Sequence, residues 1–434
     1  MLTLLLRAPS FHPEYFAEDE SYYLVAAEKV IDGHAQYEGT WDNKPPILVW
    51  VYSLFLGVFG SYALLAIRIF TIFYIYLTAL LVNRIVDDNR LLQQFSLLPA
   101  FLIIFLSSVP WYAQELNGEI LMNLPIVGAF SEILRLKERS KKNANHLFFA
   151  GLLLGVAFMI KYQALFVFLG LLTAYLVTQP AQLSETFSYF FGFLLSILAV
   201  VLGIYFSGAL EAYWDIGVLY NIDYIRIGTN PGEEASPLFN LFQYGQLWGV
   251  FIILGLVGIA HFRINYFSNA IRLRKVESIV LYWFLGALLT IVIGGGRLYL
   301  HYFYLLVPPL AIYAAKALEL KFRAWIRNLV LLAAFAIPFM TYAVFMLAAF
   351  PEQFSFADKY LREDGWTMQF RKELNEPHPL ESYIDREQIH QGILVLAYEP
   401  TVYTRLDLPC ATKYTNFSVA YYKFDFLPEN EGRS

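Results

Sequence analysis

The feature that most constrains the fold of this chain is a succession of ten apolar runs. They lie near residues 62–82, 95–110, 120–137, 146–160, 162–178, 186–207, 240–260, 278–296, 302–320 and 327–350. A helix of about 20 apolar residues crosses a bilayer, and irregular backbone cannot face lipid because its polar groups would lack partners. Hydrophobic residues make up 58% and charged residues only 15% of the 434. We therefore predict an all-α polytopic membrane protein, with a shorter interfacial helix over Ile47 to Phe59.

The charge is distributed unevenly between the apolar part of the chain and its C-terminal tail. Residues 351–434 contain 14 of the 36 acidic and 9 of the 31 basic residues, a difference that equals the whole net charge of −5. Apolar runs stop near residue 350. We therefore predict a membrane domain over 1–350 and a small α/β tail domain over 351–434, with strands at 393–398 and 412–417. The single cysteine, Cys410, excludes an intrachain disulfide.

Basic residues are concentrated in alternate loops, and this predicts the orientation of the helices. Short cytoplasmic loops accumulate Lys and Arg, and the bias is found in the loops around 84–90, 135–142, 263–275 and 316–327. Few cations occur in the remaining loops, which are 10–46, 111–118, 208–239 and 297–301. By parity these loops and the tail are extracytoplasmic. The parity requires that 146–160 and 162–178 are separate helices, divided at Lys161.

The first outer loop, residues 10–61 with its interfacial helix, contains polar residues of chemical interest. Three consecutive carboxylates at 18–20 precede an amphipathic run that we predict to be a helix along the membrane surface. Acidic residues stabilise a helix N-terminus, but capping alone explains about one of the three. Further on, Lys44 stands directly before two prolines, which fix the backbone and prevent a helix upstream. A lysine in this place is either a snorkelling membrane anchor or a functional cation.

A divalent metal site in this loop is a weaker hypothesis. The side chains that could approach one another as ligands are His12, Asp19, Glu20 and His34. Their spacing matches no standard ligand motif. No cofactor is therefore predicted from the residues, and a divalent metal remains an alternative.

Several motifs together resemble the bacterial GT-C glycosyltransferases, and the aminoarabinose transferase of lipid A and the protein mannosyltransferases are the named relatives. The motifs are Asp19-Glu20-x-x-Tyr23, Lys44-Pro45-Pro46, Phe59-Gly60-Ser61 followed by a helix with Arg68, Gly118-Glu119-Ile120-Leu121-Met122, Gly151-Leu-Leu-Leu-Gly155 with Lys161, and Arg297-x-x-x-His301-Tyr302. Each motif is short, but together they extend over nearly the whole chain. The resemblance implies a GT-C type helical bundle with extracytoplasmic loop helices.

The resemblance also implies an activity. Such an enzyme moves a sugar from a polyprenyl-phosphate donor to an extracytoplasmic acceptor, which is a lipid, a glycan or a protein, with inversion at the sugar. The lipid-linked sugar is a co-substrate, and the partners are this donor, membrane lipid and the acceptor, with no nucleic acid. The implied location is the bacterial inner membrane, with the active site on the extracytoplasmic side.

Residue roles follow from the resemblance at the matching positions. The acidic residues implied for catalysis are Asp19, Glu119 and, beside the first, Glu20. The residues implied to bind the donor phosphate are Lys44, Arg297 and His301. The residues implied to contact substrate are Tyr23, Asp42 and Tyr302. Two positions depart from the pattern: Asn43 stands where the aminoarabinose enzymes tend to have Glu, and Glu119 stands where Asp is more usual.

The chemistry of transfer from a lipid phosphate agrees with these roles. The acceptor hydroxyl needs a general base or an electrostatic guide, and the departing phosphate needs cations. Parity places Asp19, Glu119, Lys44 and Arg297 on one side of the membrane. His301 is equally consistent with a hydrogen-bonding aromatic residue at the membrane interface.

Two other classes of protein remain as alternatives. A transporter is also a polytopic bundle, but transporters place polar residues and broken helices near the midplane, often in internal repeats. Here no repeat is visible and the polar residues gather in outer loops, which favours an enzyme. A non-catalytic subunit of a membrane assembly is the second alternative, and the sequence does not exclude it.

Cysteine labelling tests the predicted orientation. In a Cys410→Ser background, Asn230→Cys and Gln353→Cys are expected to react with a membrane-impermeant maleimide in intact cells, because parity places both outside. Asn143→Cys lies in a basic loop and is expected to react only after the cells are lysed. Labelling of Asn143→Cys from outside would reverse the orientation.

Overall fold

The computed structural model describes residues 2–11, 18–108, 114–136, 142–180, 182–222, 248–261, 271–293 and 299–320, with parts of 325–340. In this part of the chain the regular elements are all helices, and no strand occurs. The prediction of a helical membrane domain is confirmed. The tail domain, with its predicted strands at 393–398 and 412–417, lies outside the described residues, and so does most of the predicted span 327–350.

The helices follow the apolar runs of the sequence. In chain order they are α1 (Leu2–Leu6), α2 (Glu18–Ile31), α3 (Ile47–Phe59), α4 (Ala63–Asp88), α5 (Leu98–Leu106), α6 (Gly118–Leu134), α7 (Asn143–Ile160), α8 (Ala164–Thr178), α9 (Leu183–Phe206), α10 (Leu210–Ala212), α11 (Trp248–His261), α12 (Ile271–Ile293) and α13 (Val307–Leu318). A π-helix, Tyr213–Leu219, continues α10, and a 3-10 segment, Leu300–Leu306, precedes α13.

Four helical segments of the described residues are long and apolar enough to cross a membrane. They are Ile47–Asp88, Asn143–Ile160, Leu183–Phe206 and Lys275–Ile293. Shorter apolar helices lie at Ala164–Thr178 and Trp248–His261. The chain is therefore a multi-pass membrane protein. Over the predicted span 95–110 the helix is α5, which has only nine residues.

The interfacial helix predicted over 47–59 is α3, and it is joined more closely to the next span than expected. A 3-10 turn, Gly60–Tyr62, connects α3 directly to α4. Gly60 adopts a φ of +51°, a conformation that costs a side-chain-bearing residue energy and glycine little. The glycine therefore allows the change of direction between two helices that otherwise follow each other without a loop.

The division at Lys161 is confirmed. Lys161 is extended, with φ −157° and ψ 128°, and it ends α7. In α8 and α9, Tyr175 donates its hydroxyl hydrogen to Glu185 at 2.6 Å, and Tyr189 donates to the Phe168 carbonyl at 2.9 Å. Early residues of α9 thus contact late residues of α8, so these two helices are antiparallel.

Close backbone packing joins α8 to α12. A Cβ on Gly170 would lie 2.5 Å from the Tyr282 carbonyl oxygen, and one on Gly286 would lie 2.6 Å from the Phe166 carbonyl oxygen. Small residues let membrane helices approach closely, where van der Waals contact replaces the hydrophobic effect that lipid cannot supply. The two glycines thus permit a contact that any side chain would push apart.

The chain divides into two compact units. The first unit contains residues 1–9, 70–200 and 222–351. The second unit contains, of the described residues, those in 10–69 and 201–221. The proposed boundary between a membrane domain and a tail domain near residue 350 stays a prediction, because the tail is outside the described residues.

A glycine substitution tests the packing of α7 on α9. Gly192→Ala would place a Cβ 2.1 Å from the Phe148 carbonyl oxygen, so we expect a lower melting temperature. Overpacking of this kind costs about 1–3 kcal/mol. The matched control is Gly249→Ala in α11, where a Cβ meets nothing within 4 Å, so its melting temperature should stay the same or rise. Equal thermal unfolding of both purified variants in detergent would contradict the close packing.

Candidate functional site

The acidic start of α2 places two carboxylates in different surroundings. Helix α2, Glu18–Ile31, includes the three carboxylates and the amphipathic run that the sequence predicts to be helical. Consecutive helical residues differ by about 100° in direction, so Asp19 and Glu20 cannot face the same way. The Asp19 side chain is 24% exposed, whereas the Glu20 side chain is fully buried. Of the two, Asp19 is the carboxylate that a substrate can reach.

Glu20 forms a buried ion pair with a residue of α4. Its Oε2 accepts a hydrogen bond from Nη2 of Arg68 at 2.8 Å, and both side chains are excluded from solvent. Its Oε1 is also buried and has no hydrogen-bond partner within the described residues. The pair ties the first turn of α2 to α4. Sequence analysis found Arg68 only as part of a motif, because 48 residues separate the partners.

Lys44 lies over the same helix start. Its Nζ is 4.0 Å from Asp19 Oδ1, and the two side chains are 22% and 24% exposed. The ammonium also lies over two aromatic rings, 5.1 Å from the centroid of Tyr22 and 4.7 Å from that of Tyr23. A cation is attracted to the faces of such rings. The predicted Asp19, Tyr23 and Lys44 are therefore brought together, with their charged groups partly open to solvent.

Asp42 stabilises the backbone of Lys44 through a hydrogen bond. Its Oδ1 accepts the Lys44 backbone N–H at 2.9 Å, and its Oδ2 lies 3.4 Å from Nε2 of Gln36, which donates to it. Burial raises the pKa of Asp42 to about 6, although Lys44 and these hydrogen bonds act in the opposite direction. At neutral pH the carboxylate is mostly ionised and supports the loop. Asp42 was predicted to contact substrate. Its side chain is buried and accepts the backbone N–H of Lys44, and its contact with substrate stays a prediction.

A second cluster of charged groups begins at the first turn of α6. The side chain of Asn117 caps this helix by accepting the Ile120 N–H at 2.9 Å. Glu119 follows in the first turn, where a carboxylate complements the positive end of the helix dipole. The side chain of Glu119 is buried. A buried carboxylate needs a cationic partner, and the fold supplies one.

That partner is Lys161, from the break between α7 and α8. Its Nζ donates a hydrogen bond to Oε1 of Glu119 and lies 4.8 Å from the ring centroid of Tyr302. Nε2 of His301 is 3.9 Å from the same carboxylate oxygen. The structure thus brings together the predicted Glu119, His301 and Tyr302. Oε2 of Glu119 is buried and has no hydrogen-bond partner within the described residues.

Lys161 is the member of this cluster that sequence analysis did not assign to the site. It was noted as a helix divider and as part of a motif. A lysine between two apolar runs is itself a signal, because an ionisable group at membrane depth is costly and usually functional. Its partner, 42 residues away, is not visible from the sequence.

Two predicted site residues fall outside the described part of the chain. They are Arg297, predicted to bind phosphate, and His12, considered as a metal ligand. Among the described residues no group of three His, Cys, Asp or Glu side chains is placed to hold a metal ion. Of the three remaining candidate ligands, the two in α2 are engaged with cations, Asp19 with Lys44 and Glu20 with Arg68, and the third, His34, is exposed.

Part of the chain matches a known family. Residues 43–206 match the model of the dolichyl-phosphate-mannose-protein mannosyltransferases. The match includes Lys44, Glu119 and Lys161 but begins after the acidic start of α2. No curated protein matches the chain in sequence.

Solved structures share the fold of the chain. ArnT from Cupriavidus metallidurans, bound to undecaprenyl phosphate, has a TM-score of 0.54 at 15% identity, over 94% of this chain and 84% of that one. The apo oligosaccharyltransferase of Archaeoglobus fulgidus has a TM-score of 0.54 at 13% identity, over 95% of this chain. This chain spans only 63% of that protein's length. The archaeal oligosaccharyltransferase AglB from Archaeoglobus fulgidus, in complex with an inhibitory peptide and a dolichol-phosphate, has a TM-score of 0.51 at 13% identity, over 95% of this chain and 64% of that one.

A double-mutant cycle tests the buried pair. We expect Arg68→Met to destabilise the protein by about 3–5 kcal/mol, because it leaves the Glu20 carboxylate buried without its cation. Glu20→Gln combined with Arg68→Met removes both charges and should recover much of the loss. Thermal unfolding of the single and double variants measures the coupling. Additive losses would show that the two side chains do not depend on each other.

Proposed function

We propose that this chain, whose family match and fold support membership of the GT-C glycosyltransferase superfamily, transfers a sugar from a polyprenyl-phosphate donor to a hydroxyl-bearing acceptor. The family match covers less than half of the chain, and the structural likeness concerns the fold. The activity therefore rests on the chemistry of the described residues. The observation that carries it is the partly exposed pair of Asp19 and Lys44.

This pair has the two charges that the reaction needs. Asp19 can accept a proton and is not buried, so an acceptor hydroxyl can reach it. Lys44 can stabilise the phosphate as it leaves, because an ammonium is a compact cation with three hydrogen-bond donors. The two groups are 4.0 Å apart, and their side chains are 22% and 24% exposed, so a base and a cation are offered side by side. The aromatic rings under Lys44 keep the ammonium near the carboxylate.

The bond changes follow from this arrangement. The acceptor oxygen attacks the anomeric carbon of the donor while its proton passes to the Asp19 carboxylate. The bond between that carbon and the phosphate oxygen breaks, and the polyprenyl phosphate leaves with the electron pair. Lys44 stabilises the negative charge, and Arg297 is proposed from the sequence as a second cation. A single displacement of this kind inverts the anomeric centre.

The choice of donor is supported by the fold relatives. One of them is bound to undecaprenyl phosphate and another is in complex with a dolichol-phosphate. Both ligands join a long apolar chain to a phosphate, which suits a protein of apolar helices with a lysine before two prolines. The extracytoplasmic side of the inner membrane is proposed from the loop charges of the sequence.

The cluster around Glu119 is proposed to serve the same class of reaction. Glu119 has one oxygen engaged by Lys161, and its buried Oε2 can accept a hydrogen bond from a sugar or acceptor hydroxyl. His301 is proposed to contact the donor phosphate, and the aromatic ring of Tyr302 is proposed to contact the substrate. Each of these residues keeps its predicted role as a proposal.

A donor panel tests the proposed activity directly. The purified protein is incubated with membranes and radiolabelled polyprenyl-phosphate sugars that differ in the sugar. We expect one donor to be consumed and its sugar to appear on a membrane or polymer acceptor, with release of polyprenyl phosphate. Movement of the intact donor across a vesicle membrane without bond cleavage would favour a transporter and overturn the proposal.

The Asp19→Asn variant tests the proposed base. It keeps the shape of the side chain but cannot take the proton, so we expect turnover to fall by roughly 10²–10⁴-fold, the range of general base catalysis. The matched control is Asp32→Asn, an exposed residue just after α2, which should leave turnover unchanged. Near-normal turnover in Asp19→Asn would remove Asp19 from the chemistry and favour Glu119 as the base.

A further inference from the structure

Three side chains hold the backbone on which Lys44 is mounted. The Lys44 N–H donates to Asp42 at 2.9 Å, and its carbonyl accepts a hydrogen bond from the hydroxyl of Tyr37 at 2.7 Å. The preceding carbonyl, of Asn43, accepts a hydrogen bond from the side-chain amide of Asn221. The N–H and carbonyl of Lys44 and the carbonyl of Asn43 are therefore each hydrogen-bonded to a different side chain of the second unit.

The local sequence makes this support necessary. Residues 41–45 form neither helix nor strand, so no hydrogen-bond ladder holds them. The following Pro45 has no N–H to donate, and the next residue is also proline. A proline restricts the residue before it to extended conformations but does not anchor that residue to its surroundings. Anchoring must come from side chains elsewhere.

Asn221 is the most remote of the three anchors, 178 residues from its partner. Its amide donates a second hydrogen bond to the Gly217 carbonyl at 2.7 Å. Gly217 lies in the π-helix Tyr213–Leu219, and such segments are rare and are often found at functional sites. Asn221 thus connects the end of this π-helix to the loop that carries the lysine.

The π-helix is itself packed against the same loop. The ring of Tyr213 is 5.3 Å from that of Tyr37, the residue that binds the Lys44 carbonyl. A Cβ on Gly217 would lie 2.7 Å from the Tyr213 ring and 3.3 Å from the Tyr37 ring. The missing side chain at 217 permits this approach. The π-helix just before Asn221 is therefore packed closely against Tyr37, which also binds the Lys44 backbone.

We propose that Asn221 is a positioning residue for Lys44, and that it acts on the donor phosphate only through that lysine. The inference rests on the proposed function, since it assumes that the Lys44 ammonium meets a phosphate. Without the amide of Asn221, the Asn43 carbonyl loses its anchor and the loop gains freedom. The ammonium then spends less time in the place where it binds phosphate.

A binding cycle separates this role from a general structural one. The probe is undecaprenyl phosphate, titrated into full-length protein in detergent, with the wild type, Asn221→Ala, Lys44→Ala and the double variant. We expect Asn221→Ala to weaken binding roughly three- to tenfold, as for the loss of one hydrogen bond, and Lys44→Ala to weaken it further. In the Lys44→Ala background, Asn221→Ala should have no additional effect, because there is no ammonium left to position.

A second variant and a control keep the test decisive if Asn221→Ala unfolds. Tyr37→Phe removes only the hydroxyl that binds the Lys44 carbonyl, and it should show the same dependence on Lys44 with an unchanged melting temperature. Asn89→Ala removes a comparable amide bond to the Ile85 carbonyl, away from this loop, and should bind as the wild type does.

The outcomes distinguish the inference from the function on which it rests. Equal weakening by Asn221→Ala with and without Lys44, or wild-type binding by folded Asn221→Ala, overturns the positioning role alone. If Asn221→Ala does not fold, wild-type binding by Tyr37→Phe overturns it, because holding the Lys44 backbone would then not matter for phosphate binding. Failure of the wild type to bind the probe, or wild-type binding by Lys44→Ala, overturns the phosphate role of Lys44 and the inference with it.

Discussion

The cost of burying charge governs the polar part of this structure. Most of the chain is apolar, and an ionised group removed from water is stable only beside a partner of opposite sign. Within each of the two units, the carboxylates considered above have a cation beside them: Arg68 for Glu20, Lys44 for Asp19 and Lys161 for Glu119. These pairs differ in burial. The side chains of Glu20 and Arg68 are closed to solvent and Glu119 is buried beside Lys161, whereas the side chains of Asp19 and Lys44 are partly exposed. The exposed pair is the one we propose to meet the acceptor and the phosphate.

The lysine before two prolines shows how a loop can be made rigid without regular secondary structure. Proline limits the backbone but provides no donor, so the neighbouring groups are bound by Asp42, Tyr37 and Asn221. A cation whose position is fixed before binding loses less conformational entropy when it binds an anion than a cation on a mobile segment does. The aromatic rings of Tyr22 and Tyr23, which lie under the ammonium, restrict the Lys44 side chain in the same way.

The scaffold around these groups depends on close helix contacts. In lipid the hydrophobic effect does not drive helices together, so backbone proximity and van der Waals packing must do so. Gly170 and Gly286 meet the facing backbone directly in the antiparallel pair α8 and α12. In the same unit, the break at Lys161 lets a charged residue leave the apolar helix direction and reach Glu119. Small residues thus set the helix packing, and the break at Lys161 sets the geometry of the charged cluster.

The sequence by itself determined the helical membrane architecture, the break at Lys161 and the helix that follows the carboxylates at 18–20, because these follow from local composition and backbone chemistry. It also indicated Asp19, Lys44, Glu119 and His301 as residues of interest.

Only the tertiary structure decided which acidic residue pairs with which basic residue. Glu20 and Arg68 are 48 residues apart, Glu119 and Lys161 are 42 apart, and Asn221 reaches Asn43 across 178 residues. Neighbouring carboxylates look alike in a sequence. Which one is buried in an ion pair and which one stays open depends on the direction of each side chain from the helix and on what packs against it.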